Sequence, residues 1–167
     1  MNLLGKLCVS VLCGLTLALP ARADIISGRV VGIADGDTVT VLDGSNRQHK
    51  IRLMGIDAPE KKMPYGNHSK QSLSALIFGK DVSVQYAKRD KYQRIVGKIT
   101  VGGLDANLAQ VKAGMAWHYK QYQSEQSAED SVIYARAERE AQASNRGLWK
   151  DSDPVAPWDW RRSKKRN

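Results

Sequence analysis

Hydrophobic and polar positions change their period several times along the chain, and each change marks an element. Ile25 to Ile33 is rich in strand-forming residues and interrupted by Gly28 and Gly32, which predicts a curved or bulged strand. Asp35-Gly36 is a turn signal. Thr38-Val39-Thr40-Val41 then alternates polar and apolar with period two. After a second turn at Asp43-Gly44-Ser45-Asn46, Lys50 to Ile56 reads as a third strand, and the three form an antiparallel meander. Asp57-Ala58-Pro59-Glu60 ends it, because Pro59 has no N–H for a ladder and holds Ala58 extended. Lys61 to Tyr65 is a polar loop.

The period then lengthens. Leu73, Leu76 and Ile77 have helical spacing, with Gly79 as the stop. Val82 to Tyr86 alternates again, and Ile95 to Val101 is a fifth strand before the Gly102-Gly103 turn. Leu104, Leu108 and Val111 mark a second helix closed by Gly114. Ile133, Ala137 and Ala141 mark a third, with Ser127 as its cap and Gly147 beyond its end. Five strands with helices after the third and the fifth predict an α+β, mainly β, domain: a small barrel with three helices, an order that an OB-type barrel fits.

The two ends differ from this middle. Lys6 precedes an apolar run from Leu7 to Leu19, then Pro20 and Ala21-Arg22-Ala23, the pattern of a cleaved secretory signal over residues 1–23. The run is short for a transmembrane span, so cleavage is favoured over a retained anchor. The expected product is exported, periplasmic or extracellular, and free of the membrane once the signal is cut. Both cysteines, Cys8 and Cys13, lie in the signal, so residues 24–167 have no disulfide, thiolate ligand or cysteine nucleophile. Residues 24–150 form the expected folded domain. Residues 151–167 form a tail, first Pro- and Trp-containing and then basic. Pro154 to Trp160 is expected to strap over the barrel, and Arg161 to Arg166 to be a solvated terminus that adds nonspecific phosphate affinity.

The chain has 26 Lys and Arg against 17 Asp and Glu. The signal holds two of the bases, Lys6 and Arg22, and none of the acids, so the remainder stays strongly positive. Such a surface attracts polyanions, nucleic acid or anionic membrane. Against that background four short segments collect a specific set of charges. Asp35 and Asp37 sit at a tight turn. Arg52 lies on a strand between apolar neighbours, Asp57 and Glu60 flank Pro59 at its end, and Arg94 opens the fifth strand. Carboxylates without histidine or cysteine suit a hard cation such as Ca²⁺. Two arginines can fork onto phosphate oxygens, and an acid not engaged with a cation can activate water. Singly, each is an ordinary turn acid or surface base; together they form a kit for cleaving phosphodiesters.

Three segments resemble the staphylococcal nuclease (thermonuclease) family. Asp35-Gly36-Asp37-Thr38 looks like its Asp-Gly-Asp-Thr segment. Arg52-Leu53 through Asp57-Ala58-Pro59-Glu60 looks like its Arg-Leu-x-x-x-Asp-x-Pro-Glu segment, and Asp90-Lys91-Tyr92-Gln93-Arg94 resembles its Asp-x-Tyr-Gly-Arg segment. Asn107-Leu108 through Ala116-Trp117 is similar to the helix and short strand that follow. The resemblance spans roughly Ile25 to Trp149. It implies a five-stranded OB barrel with three helices. It also implies one calcium ion held by Asp37, Asp57 and the Ala58 carbonyl, Glu60 activating or orienting the attacking water, and Arg52 and Arg94 gripping the phosphate. Asp35 would stand behind the metal ligands, and Lys91 and Tyr92 would line the nucleotide site. A substrate-side tyrosine is implied near Tyr119-Lys120-Gln121-Tyr122, which makes Tyr119 and Tyr122 candidates. The implied activity is cleavage of DNA and RNA with little sequence preference, leaving 3′-phosphate ends, by a monomer with no stable protein partner. Gln93 departs from the family, which has glycine there. If that turn requires positive φ, Gln93 is strained and bears on the aim of Arg94.

His49, His68 and His118 lack zinc spacing. Trp117 and Trp149 read as core residues. Two other classes compete: a noncatalytic nucleic-acid-binding OB module, and a basic envelope protein. Neither requires Asp37, Asp57 and Glu60 together.

Overall fold

A computed structural model describes residues 24–166; the expected signal and both cysteines lie outside the described residues. Strands β1 (Asp24–Ile33), β2 (Thr38–Asp43) and β3 (Gln48–Leu53) form the expected antiparallel meander. The pairing of β1 with β2 slips between Val30 and Gly32, which is the bulge anticipated from the glycines. Gly28 is required for a different reason: a Cβ there would come within 2.3 Å of the Leu42 carbonyl oxygen of β2.

The third strand is shorter than its sequence suggests. A turn at Met54-Gly55, where Gly55 has φ +77°, splits off β4 (Ile56–Asp57). Helix α1 (Gly66–Ile77) follows the loop, and Gly79 ends it at φ +73°. Strands β5 (Asp81–Arg89) and β6 (Ile95–Val101) come next, and β7 (Leu104–Asp105) turns back on β6. The second helix, α2 (Ala106–Lys112), starts later than Leu104 because the Asp105 carboxylate caps it, accepting from the Leu108 N–H at 2.9 Å. Strand β8 (Trp117–His118), a 3₁₀ segment (Lys120–Glu125) and α3 (Ala128–Ala143) follow, and the Ser127 hydroxyl caps α3 as expected.

Closure makes the barrel. The order is β3-β2-β1-β5-β6, and β6 returns parallel to β3, pairing Ile51 with Ile95, Arg52 with Val96 and Leu53 with Gly97. Val30, Val39, Val41, Ile51, Leu53, Val84, Ile95 and Ile99 fill the interior, and Leu73 and Ile77 of α1 and Val111 of α2 pack against them. Each such aliphatic side chain contributes about 1.5–3 kcal/mol by leaving water. Among the described residues no helix is long and apolar enough to cross a membrane.

The tail is ordered, contrary to the expected solvated terminus. Residues Pro157–Arg166 form α4. Pro157 takes the first helical position, where its missing N–H costs nothing. Asp159 in the first turn and Lys164 and Lys165 in the last complement the helix dipole.

One turn shows how charge fixes local geometry. Asp43 accepts from the Ser45 and Arg47 N–H groups at 2.8 and 3.0 Å, while its other oxygen meets the His49 Nε2 at 2.7 Å. The His49 contact, then the Arg47 and Ser45 N–H groups, hold the Asp43 carboxyl well below the ordinary carboxylate range. An acid depressed in the folded state contributes stability that is present above its unfolded pKa, about 4, and is lost as pH falls through the folded value. Asp43→Ala is therefore expected to lower the melting temperature at neutral pH, with the gap to wild type narrowing as pH drops below about 4. Thermal unfolding followed across that range checks it, and a gap independent of pH refutes it.

Candidate active site

The first hairpin, the end of β3 and the short β4 meet at one end of the barrel. Asp37 and Asp57 are almost inaccessible there, at 6 % and 1 % exposure. The Leu53 N–H donates to the Asp37 carbonyl at 2.8 Å, which ties the turn to β3. The Ala58 N–H donates to Asp37 Oδ2 at 2.7 Å and Thr38 Oγ1 donates to Oδ1 at 3.0 Å. Arg52 bridges the two acids: Nη1 pairs with Asp37, and Nη2 donates to Asp57 Oδ1 at 2.8 Å. The charge pair at Nη1 is not an aligned hydrogen bond, and that nitrogen has no other acceptor among the described residues. Strand β8 supports Asp57 through its pairing with Trp117.

Gly36 allows this turn to pack. A Cβ at Gly36 would fall 1.8 Å from Ser69 Oγ of α1. Gln110, fully buried on α2, donates to the Gly36 carbonyl at 2.9 Å and to the Ser69 carbonyl at 3.1 Å, and accepts from Ser72 Oγ at 2.7 Å. The sequence reasoning missed Gln110. Its signal was a polar amide within the buried stripe Ala106, Asn107, Gln110 and Val111 of α2.

Burial and charge set the acids apart. Burial raises Asp37, but the Arg52 guanidinium and the Ala58 N–H outweigh it, so its carboxyl ionises more readily than an ordinary one. Burial raises Asp57 and wins over its guanidinium contacts. Asp35, which accepts from the Asp37 N–H at 3.0 Å, is pushed up to about 6 by burial and then by the Asp37 charge.

Arg94 reaches the same place from β6. Asp90 accepts from its Nε at 2.7 Å and from its N–H at 2.9 Å, and its Nη1 lies 3.4 Å from Thr38 Oγ1. Gln93 adopts φ 63°, the conformation for which the family's glycine suits the turn. The Asp90 contacts are made despite that strain. Tyr92 is 68 % exposed, with the Arg94 guanidinium 5.6 Å and the Lys91 ammonium 5.1 Å from its ring centre.

The remaining candidates lie against α4. Arg161 donates from Nη2 to Asp57 Oδ2 at 2.7 Å and from Nη1 to Glu60 Oε1 at 2.8 Å. The Tyr119 ring is stacked on Trp158, 5.2 Å between centres and 3° between planes. Tyr122 sits edge-on to Tyr119 at 4.8 Å and is 43 % exposed. Trp149 is buried as expected, and Trp117 packs edge-on against it at 4.3 Å. His118 is buried against Gln126, and His49 serves the Asp43 turn.

Among the described residues no three His, Cys, Asp or Glu side chains converge as a metal cage. The donor chemistry nevertheless suits a hard cation. Asp37 and Asp57 are carboxylates, the Ala58 peptide lies beside Asp37, and a positive group already sits against Asp57 and Glu60 in the form of Arg161.

Comparison with known proteins agrees with this arrangement. Residues 50–151 match the family model described as staphylococcal nuclease homologue. The chain belongs to this family. It is 44 % identical over 146 residues to an "Uncharacterized endonuclease" of Escherichia coli, covering 87 % of this chain and 91 % of that one. A protein of Haemophilus influenzae with the same description is 44 % identical over 139 residues, covering 83 % and 75 %. A "Probable staphylococcal-like nuclease" of Oryza sativa subsp. japonica is 38 % identical over 148 residues, covering 89 % of this chain and 36 % of the longer plant protein. In this staphylococcal nuclease homologue the matched residues include Arg52, Asp57, Glu60 and Arg94, whereas the Asp35–Asp37 turn precedes them and α4 follows them.

Two substitutions probe the supports. Gln110→Ala strands the buried Gly36 carbonyl and is expected to cost about 1–3 kcal/mol for that group; urea unfolding with a loss under the lower figure would remove Gln110 from that role. Gln93→Gly relieves a left-handed side-chain residue. It is expected to raise stability by about 1 kcal/mol, because that strain slightly exceeds the entropy glycine adds to the unfolded chain. A destabilised Gln93→Gly would show that the turn is not strained.

Proposed function

We propose that this protein is an exported, monomeric, calcium-dependent nuclease that hydrolyses DNA and RNA with little sequence preference and leaves 3′-phosphate ends. The observation that carries this reading is the convergence of Asp37, Arg52 and Asp57 on one another, with Glu60 beside them and Arg94 reaching Thr38. Membership of the nuclease family supports the class of activity, as do relatives described as endonucleases. Lys61 and Lys62 beside Glu60 support a polyanionic substrate.

Asp37, Asp57 and the Ala58 carbonyl would hold the calcium ion, which when bound supplies a Lewis acid for a phosphate oxygen. Arg52, already bridging the two acids, would direct its guanidinium to a second oxygen. Arg94, braced by Asp90, brings its guanidinium to the same group and offsets the negative charge that builds up as water attacks. Of the three acids only Glu60 keeps substantial side-chain exposure, 41 % against 8 % for Asp37 and 1 % for Asp57. On this reading it takes the proton from water. The new P–O bond forms as the P–O5′ bond breaks, the 5′ oxygen leaves with a proton from solvent, and the phosphate stays on the 3′ side.

The test is cleavage of single-stranded and supercoiled DNA by the chain starting at Asp24, with Ca²⁺, Mg²⁺ or chelator. Cutting is expected with calcium alone, and Glu60→Gln is expected to reduce it about 10²- to 10⁴-fold. Tight binding without cutting under any metal would overturn the reading in favour of an OB binding module.

A further inference from the structure

Helix α4 contacts two features of the active site through two unrelated side chains. The first is Arg161. Its two terminal nitrogens fork onto Asp57 Oδ2 and Glu60 Oε1, and Nη1 also lies 3.2 Å from Asp57 Oδ1. Both oxygens of Asp57 are therefore engaged by guanidinium groups, Oδ1 by Arg52 and Arg161 and Oδ2 by Arg161. The second is Trp158, whose indole lies parallel on the Tyr119 ring and edge-on to Trp117 at 5.6 Å. A guanidinium and an indole on one helix thus stand where a cation and a stacked base would be received.

We infer that α4 is an internal strap that competes with the divalent cation: Arg161 and the cation occupy the Asp57 carboxylate in alternation, and loading the site releases the helix together with its hold on Glu60. The inference rests on the proposed cation dependence. Its physical basis is exclusion. A carboxylate oxygen already accepting charge-assisted bonds from a guanidinium has lost the lone pairs and the approach space that a hard cation requires. The polar ties of α4 to the rest of the domain are concentrated in Arg161. Arg162 pairs with Asp159 inside the helix, Ser163 bonds back to Trp160, and Lys164 lies over the Trp160 ring, so these contacts travel with it. The Arg161 fork, the Trp158 contacts with Tyr119 and Trp117, buried Pro157, and Trp160 beside Pro59, Met63 and Tyr65 bind it to the site. Releasing the helix uncovers Tyr119 at the moment the cation arrives.

The experiment is a calorimetric titration of calcium chloride into the chain from Asp24 to Asn167, paired with hydrogen exchange of residues 157–166 by mass spectrometry. Asp37→Asn serves as the control that assigns the calcium to this site. In the wild type, calcium is expected to accelerate exchange over 157–166. Arg161→Gln, which removes the competing charge, is expected to bind calcium about tenfold more tightly or better. Trp158→Ala loosens α4 without touching a carboxylate and should also tighten calcium binding. Equal affinity in all three chains, with exchange over 157–166 unchanged by calcium, would overturn the strap and leave the cation dependence standing. Weaker binding in Arg161→Gln would overturn it too, by making Arg161 part of the loaded site. Absence of calcium binding in every chain would remove the cation reading and the strap together.

Discussion

Asp37 and Asp57 share the single guanidinium of Arg52 at a place that water barely reaches. Removing one member of a buried charged set leaves an uncompensated charge and costs several kcal/mol, so such a set constrains everything around it. The peptide groups of Leu53 and Ala58 are committed to Asp37, and Thr38 links it to Arg94. Asp35 and Glu60 add further acids nearby, so the cluster holds more carboxyl groups than Arg52 can match. Burial first, and then the neighbouring Asp37 charge, makes the Asp35 and Asp57 carboxyls reluctant to ionise. Additional positive charge at this end of the barrel therefore stabilises the folded chain.

Barrel closure is what allows so many charged groups to meet. β3 is paired on both sides, antiparallel to β2 and parallel to β6. Arg52 thus lies between the strand that follows the Asp35–Asp37 turn and the strand that follows Arg94. An open sheet of the same strands would leave Arg94 at the far edge. The helices finish the construction from outside: Gln110 of α2 holds the carbonyl of Gly36, Ser69 of α1 packs against its Cα, and β8 pairs with β4 to hold Asp57.

The meander, the two later strands and the three helices were legible because each rests on a local signal, an alternation, a cap or a glycine stop. Gly79, Gly114 and Gly147 do have positive φ, and Ser127 and its α3 agree with the expected cap. The break of the third strand at Met54-Gly55 was not legible, since Gly55 inside an apolar run reads as well as strand as it does as turn. The acids and arginines that the motifs singled out come together in space. The motifs could not reveal Gln110, whose role depends on contacts between distant segments. Nor could the basic half of the tail be read. Its basic run has the composition of a solvated terminus, and its order comes from tertiary contacts of Trp158 and Arg161 that no local pattern encodes.

The excess of carboxylates explains why the tail can bind at all. A tethered group competes at an effective concentration on the order of mM when its linker spans the distance well. Arg161 is held so by the short segment between the 3₁₀ turn at Gly147–Lys150 and α4, and by the Trp158 stack. One arginine in water would have little affinity for an aspartate, but one delivered at that concentration to a buried, under-neutralised carboxylate has a great deal more. The same electrostatic demand that makes the cluster receptive to a cation therefore makes it receptive to the chain's own guanidinium. Fork geometry gives the guanidinium two bonds across Asp57 and Glu60, whereas the proposed divalent ion would bring twice the charge to Asp57. Two ligands of comparable claim on one set of oxygens make occupancy a matter of concentration. The balance between them is set by side chains on α4, outside the residues matched by the family model.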